Sequence, residues 1–277
     1  MNRAPPLVSV CIPTYLGATY LGAAIDSVLA QELEDFELKE IDDNSTDATA
    51  SIVARYADAR VRYLRNETNL GPQGNWNRCL AEARAKYFKL LPQDDVLLPG
   101  CLARQVAALE RDVEARIALV FCARRIIDAN GKVLMRRGFP GGREGAITGS
   151  SVVRRCVRSG TNLLGEPGAV MFRRETALRI GPFDATNPYV IDLDYWFRLL
   201  ATGDAWYLPE PLAAFRSSSG SWSVAIGARQ TADFRRFIAR TAAASGRFDR
   251  IAGYGMAAIN ARLRALLYRF LPQRPTT

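Results

Sequence analysis

The chain has 277 residues, 48% hydrophobic and 23% charged, the balance of a folded protein with a sizeable core. Its net charge is +9 and it has no histidine. That excludes a Ser-His-Asp triad, a Cys-His pair and any His-ligated zinc site, and leaves carboxylates, hydroxyls, arginine, lysine or a bound ion to carry chemistry.

Residues 7–12 form an apolar run read as a buried strand that Pro13 stops. Residues 20–31 set Leu21, Ala24, Ile25, Val28 and Leu29 at helical spacing. A second strand is expected over 36–41 and a second helix over 46–56, capped by Asn44 or Ser45. A third strand (61–64), a third helix (73–85) and a fourth strand (87–91) follow. Such alternation implies a parallel sheet with helices on both faces. Lys39 and Glu40 run against it, because a strand buried on both faces should be apolar. Further on, 117–128 and 132–135 flank Ala129-Asn130-Gly131, a hairpin signal. Residues 136–168 are rich in Gly and Arg and read as a mobile loop region. A short strand (169–172), a helix, the turn Gly181-Pro182-Phe183-Asp184 and an amphipathic helix over 192–202 come next. From Ser217 the chain turns helical and basic.

Cys11, Cys79, Cys101, Cys122 and Cys156 are scattered and form no C-x-x-C pair, so they read as reduced core thiols. No run approaches the ~20 apolar residues of a membrane span, and no secretory signal pattern opens the chain. The expectation is a cytoplasmic protein, in solution or at the inner face of the membrane.

Three polar segments follow expected strands, on the edge where open α/β sheets bind ligands. Pro13-Thr14-Tyr15 either lines a pocket or makes an ordinary turn. In Asp42-Asp43-Asn44-Ser45-Thr46-Asp47, helix capping accounts for one or two residues. Two adjacent carboxylates need partners as well, and a base edge or ribose hydroxyl would supply them. Gln93-Asp94-Asp95 is either an acidic turn or a holder of Mg²⁺ or Mn²⁺, which take one or two carboxylates with phosphate and water. Neither G-x-G-x-x-G after the first strand nor G-x-x-x-x-G-K-[ST] anywhere is present, which disfavours dinucleotide and P-loop readings. Farther on, Asp192 opens a helix whose Asp194 and Arg198 make an i,i+4 pair. It is either a helix-end anion or a general base that the helix N-terminus keeps ionised. Arg216 is either a phosphate clamp or a surface arginine.

In this order the segments resemble the family 2 glycosyltransferases, which have the GT-A fold. The matching stretches are Val8 to Tyr15, Ser27 to Gln31, Asp42 to Asp47, Asn69-Leu70-Gly71, Gln93-Asp94-Asp95, Gly181 to Asp184 and Asp192 to Arg198, over about residues 7–222. The resemblance implies an α/β, Rossmann-like, mostly parallel sheet flanked by helices. It implies that Thr14, Tyr15 and Asp43, beside Pro13, hold the nucleotide base, that Asp94 contacts the ribose, and that Asp95 contacts Mn²⁺ or Mg²⁺. Asp192 would be the base of an inverting displacement. Three departures stand out: Pro92 replaces the first Asp of D-x-D-D, Ile191 replaces the Glu before Asp192, and Gln-x-x-Arg-Trp is absent. The last implies one sugar transferred per encounter.

The expected organisation is a catalytic domain over 1–222, with a nucleotide-binding half (1–100) and an acceptor half (101–222), then a helical extension over 223–277. The expected activity is transfer from a UDP- or dTDP-sugar to a saccharide or lipid-linked acceptor, in cell-surface polysaccharide or glycolipid synthesis. Nucleotide-sugar binding without turnover is the alternative. Nucleic acid is not an expected partner, because the arginines are spread along the chain and no nucleic-acid motif appears. The extension repeats Ile251, Ala258, Ile259, Leu263, Leu266, Leu267 and Phe270 at helical spacing, with Arg250, Arg262, Arg264 and Arg269 beside them. It is expected to pack on the domain or a dimer partner, or to contact anionic lipid through 249–271.

Overall fold

The computed structural model describes residues 5–217, 230–241 and 246–268. The first hundred residues alternate as expected: β1 (Val8–Thr14), α1 (Leu21–Leu29), β2 (Phe36–Asp42), α2 (Thr49–Val53), β3 (Val61–Arg65), α3 (Gly71–Glu82) and β4 (Tyr87–Leu90). Then come β5 (Val96–Leu97), α4 (Cys101–Glu110), β6 (Ile117–Ile127), β7 (Val133–Arg137), β8 (Gly145–Ile147) and α5 (Gly149–Ser159). The remainder is β9 (Val170–Arg173), α6 (Arg174–Ile180), α7 (Ile191–Leu200), β10 (Asp204–Arg216), α8 (Gln230–Arg240) and α9 (Arg247–Tyr268).

Among the described residues one sheet runs β3-β2-β1-β4-β9-β6-β10-β5, with β7 beside β6 and β8 beside β10. β1 to β4 pair in parallel, as do β6 and β10. β9 is antiparallel to both β4 and β6, and β5 is antiparallel to β10. Helices α1 and α4 cover one face over Val10, Ile25, Leu38, Leu102 and Val106. Helices α3, α5, α7 and α8 cover the other over Cys79, Val152, Phe172, Trp196 and Phe237.

Two expectations change, and a long strand comes in addition. Pro13 lies within β1, opposite Ile41 of β2. Cys11 O accepts from Leu91 on the β4 side and Thr14 O from Asp43 on the β2 side. By alternation, the missing amide of Pro13 faces β4, where registered pairing has ended at Cys11–Leu90. The stretch 136–168, expected as loop, holds β8 and α5. In α5, Val152, Val153, Cys156 and Val157 are buried beneath a surface of arginines. The segment 204–216 is one long strand that absorbs Pro209 and Pro211 by register shifts. The residues after Ser217 that complete the Arg216 segment, and those beyond Tyr268, lie outside the described residues.

The charged residues of β2 find partners. Glu37 accepts from Ser9 Oγ at 2.6 Å and from the Arg84 guanidinium at 3.0 Å. Lys39 pairs with Glu37 at 3.6 Å and donates to the carbonyl of Glu82 at the end of α3, where the helix dipole favours a cation. Glu40 differs: it is fully buried and neither carboxyl oxygen has a hydrogen-bond partner. Burial lifts its pKa to about 8, with Asp42 adding to the rise; the Thr14 hydroxyl opposes it without reaching hydrogen-bond geometry. Folding therefore takes up a proton at this residue, and stability falls as pH rises from about 4.5 to about 8. Glu40→Gln should remove that slope and stabilise the protein by roughly 3 kcal/mol at neutral pH. Denaturant midpoints at pH 5 and pH 8 check this.

Candidate active site

Because β1, β2, β4, β6 and β10 run the same way, their C-terminal ends share one edge. The reversed strands β9 and β5 begin at that edge, so the residues just before them arrive there too.

The first two loops are bolted together. The Gln93 side chain accepts from the Tyr15 amide at 2.8 Å and donates to the Tyr15 carbonyl at 3.1 Å. Ser45, Thr49 and Asp47 accept from the amides of Leu16, Gly17 and Ala18 at 2.9, 3.0 and 3.0 Å. The polar segment after β2 thus braces the loop after β1; Asp47, rather than Asn44 or Ser45, accepts from the first amide of α2, that of Thr49, at 3.1 Å. Gly17 is required: a Cβ there would sit 2.5 Å from Thr14 Cγ2. The adjacent carboxylates Asp42 and Asp43 are separated by strand alternation. Asp42 accepts from Ser45 N at 2.9 Å and Tyr63 Oη at 2.5 Å, while Asp43 accepts from Asn66 Nδ2 at 2.5 Å and Leu70 N at 2.7 Å. Thr14 and Asp43 are buried, Pro13 is half-buried, and the Tyr15 side chain is exposed.

The acidic turn after β4 is held by Arg216. Asp95 is buried, and its Oδ1 accepts from the Arg216 amide at 2.9 Å. The Arg216 guanidinium donates to the carbonyls of Asp94, Asp128 and Ala129 at 2.9, 3.0 and 3.1 Å and stacks 4.4 Å from the Tyr20 ring. Arg216 is 6% exposed, so it is a buried tie among three loops rather than the surface arginine considered above. Burial, then the charge of Asp94, raises the pKa of Asp95; the Arg216 amide opposes that rise and Glu166 adds to it.

Asp192, in the first turn of α7, accepts from Leu193 N at 2.7 Å and from Asn162 Nδ2 at 3.0 Å. As a whole residue it is half-buried, but burial around its carboxyl lifts the pKa to about 7. The Leu193 amide and Asn162 oppose the rise and Glu166 adds to it. The helix N-terminus therefore does not keep this group at an ordinary carboxylate pKa.

Sequence reasoning missed Glu166. It precedes β9 in a segment expected to be loop, and it pairs with the buried Arg124. Its charge raises the pKa of both Asp95 and Asp192, and the segment that carries it touches Asp192 through Asn162 and Asp95 at Gly168. The turn that carries it is fixed from below: fully buried Lys89 donates to the Gly168 carbonyl at 2.8 Å, and Gln105 to that of Ala169 at 2.9 Å. A Cβ on Gly168 would lie 3.8 Å from Asp95 Oδ2. The one sequence signal was a lone carboxylate in a glycine-rich stretch ahead of a strand; that the strand runs backwards was not visible.

The family model described as glycosyl transferase family 2 matches residues 9–176. The chain belongs to that family. An uncharacterized protein of Mycobacterium tuberculosis, MT1568, is 33% identical over 246 residues, 86% of this chain and 76% of the relative. An uncharacterized glycosyltransferase of Rickettsia prowazekii, RP339, is 30% identical over 217 residues, 78% of this chain. The chain spans 65% of that relative, just under two-thirds of its length. S. aureus TarS 1–349, solved in complex with UDP-GlcNAc, superposes with a TM-score of 0.65 at 20% identity, over 84% of this chain and 66% of that one. The mannosyltransferase PcManGT of Pyrobaculum calidifontis, solved with GDP-Man and Mn²⁺, gives 0.62 at 16% identity, over 95% and 76%. Both likenesses establish the fold, a GT-A sheet, for this family 2 glycosyltransferase.

The Asp192 carboxyl is expected to titrate near 7. Glu166→Gln removes a like charge and should move that midpoint down. Side-chain carbon NMR of both proteins across pH 4 to 9 checks the value and the direction.

Proposed function

We propose that this glycosyltransferase moves one sugar from a nucleotide diphosphate to an acceptor hydroxyl by a single inverting displacement. The observation that supports this most is that the segment 162–168, which carries Glu166, touches Asp192 through Asn162 and Asp95 at Gly168, with the Gln93–Tyr15 clasp on the neighbouring turn. Thr14, Tyr15 and Asp43, with Pro13 beneath them, hold the base, and Asp94 takes the ribose. Arg216 serves the donor by fixing the Asp94–Asp95 turn beneath the diphosphate. Asp192 takes the acceptor proton while the acceptor oxygen bonds to the anomeric carbon and the bond to the nucleotide diphosphate breaks. The proton ends on Asp192 and the bonding pair on the departing diphosphate.

A divalent cation fits this cleft. Asp95 is a buried carboxyl whose pKa is raised by burial and by acid neighbours, a group that a cation would return to its ionised form. Among the described residues there is no cage of three or more side-chain ligands, so Mg²⁺ or Mn²⁺ would be held by one or two carboxylates and the phosphates of the donor. Bound there, the ion supplies charge neutralisation for the leaving diphosphate. The donor is a UDP- or dTDP-sugar, a reading that the UDP-GlcNAc complex of TarS 1–349 supports for uridine, and the acceptor is a saccharide or a lipid-linked acceptor.

Transfer is read as nucleotide diphosphate release with a panel of nucleotide-sugars. Asp192→Asn should lower kcat by about 10²–10⁴ while donor affinity, read by calorimetry, stays the same. Unchanged kcat would remove Asp192 as the base, and donor binding with no release for any acceptor would favour a binding domain. Asp95→Ala should abolish the gain in donor affinity brought by Mn²⁺; equal affinity with and without the ion in the parent protein would remove the metal role.

A further inference from the structure

Helices α5, α8 and α9 carry ten arginines and two aspartates, with no lysine or glutamate. Both aspartates are engaged: Asp249 with Arg154 at 2.7 Å and Asp233 with Arg236 at 3.3 Å. This one side of the molecule therefore holds much of the +9 net charge of the chain. Helix α9 meets α5 through a close glycine contact, where a Cβ on Gly253 would fall 2.2 Å from the Val157 carbonyl. The opposite face of α9 is apolar and open: Phe248, Ile251, Ile259 and Leu263 are 72%, 60%, 50% and 54% exposed. Their spacing puts them on one stripe of the helix.

We infer that this arginine-flanked apolar stripe docks on an anionic lipid bilayer. Apolar side chains enter the acyl boundary while the flanking arginines meet acidic headgroups, the pattern of an interfacial helix. Charge argues against a second copy of the chain as the occupant, because two such faces would bring arginine against arginine. No described helix is long and apolar enough to cross a membrane, so the contact is peripheral.

The surface adjoins the cleft. Asn260 of α9 donates to the carbonyls of Ser159 and Gly160 at 2.8 and 3.3 Å, and two residues further on Asn162 holds Asp192. A bilayer under α9 would therefore lie beside the loop whose Asn162 holds the proposed base, where an acceptor anchored in that bilayer could be presented. The docking surface stands without the transfer reading; only its use in acceptor delivery rests on that reading.

The test is co-sedimentation of the full chain with vesicles of phosphatidylcholine alone and of phosphatidylcholine with equal phosphatidylglycerol. Binding is expected to the anionic vesicles, weakening with added salt. Ile251→Ser with Ile259→Ser should reduce partitioning about tenfold, and Arg240→Gln with Arg247→Gln and Arg262→Gln by roughly fivefold per arginine. All five side chains are exposed, and circular dichroism checks that each variant folds. Absence of anionic preference, or binding indifferent to both variants, would overturn the proposal. So would a dimer, seen by light scattering, that Ile259→Ser dissolves in the absence of vesicle binding. Thermal shift of the same preparations with UDP-sugar reports on the donor site separately, so the two readings can fail independently.

Discussion

Arg216 ends the longest strand of the sheet, and the position of the acidic turn depends on it. Its amide bonds Asp95, and its guanidinium collects the carbonyls of Asp94, Asp128 and Ala129. A guanidinium suits this role because its planar donors are fixed in direction, whereas an ammonium at the same site is a point charge. Removing it would leave buried carbonyls unpaired and loosen the turn that carries Asp95. The Gln93 clasp on Tyr15 then ties that turn to the loop after β1, so three loops far apart in sequence behave as a single rim.

That rim concentrates negative charge in a low-dielectric setting. Asp95 and Asp192 both have raised pKa values, burial being the largest cause in each, and Glu166 adds to both. An arrangement of this kind opposes folding unless something positive occupies the cleft, and sites that combine burial with like charges are commonly functional. Arg124 offsets Glu166 from one side; the proposed cation would offset the rest. Ile191 stands where the family usually has an acid, so Glu166, reaching the cleft from another segment, is the carboxylate that neighbours Asp192 here.

Much of the first hundred residues was legible in the sequence. The apolar runs of β1, β2 and β4 and the helical spacing of α1 are local signals, and the polar segments fall directly after the strands. The parts that were not legible depend on distant contacts. In α5 three arginines interrupt the three buried valines and hide their pattern, although Val152, Val153, Cys156 and Val157 already mark one face. Pro209 and Pro211 look like strand breakers until the bulges that accommodate them are known. Glu166 arrives at the cleft because β9 runs antiparallel between β4 and β6, a fact of pairing that no local spacing encodes. Lys39 looked misplaced in a buried strand until Glu37 and the end of α3 supplied its partners.

The central claim is that loops scattered along the chain form one donor site at one edge of the sheet. Amide hydrogen exchange with and without a UDP-sugar and Mn²⁺ tests it most directly. Simultaneous protection of residues 15–18, 42–45, 93–95 and 162–168 is expected, with the opposite ends of the same strands unaffected. Protection confined to a single one of these segments, or found at the other edge of the sheet, would contradict it.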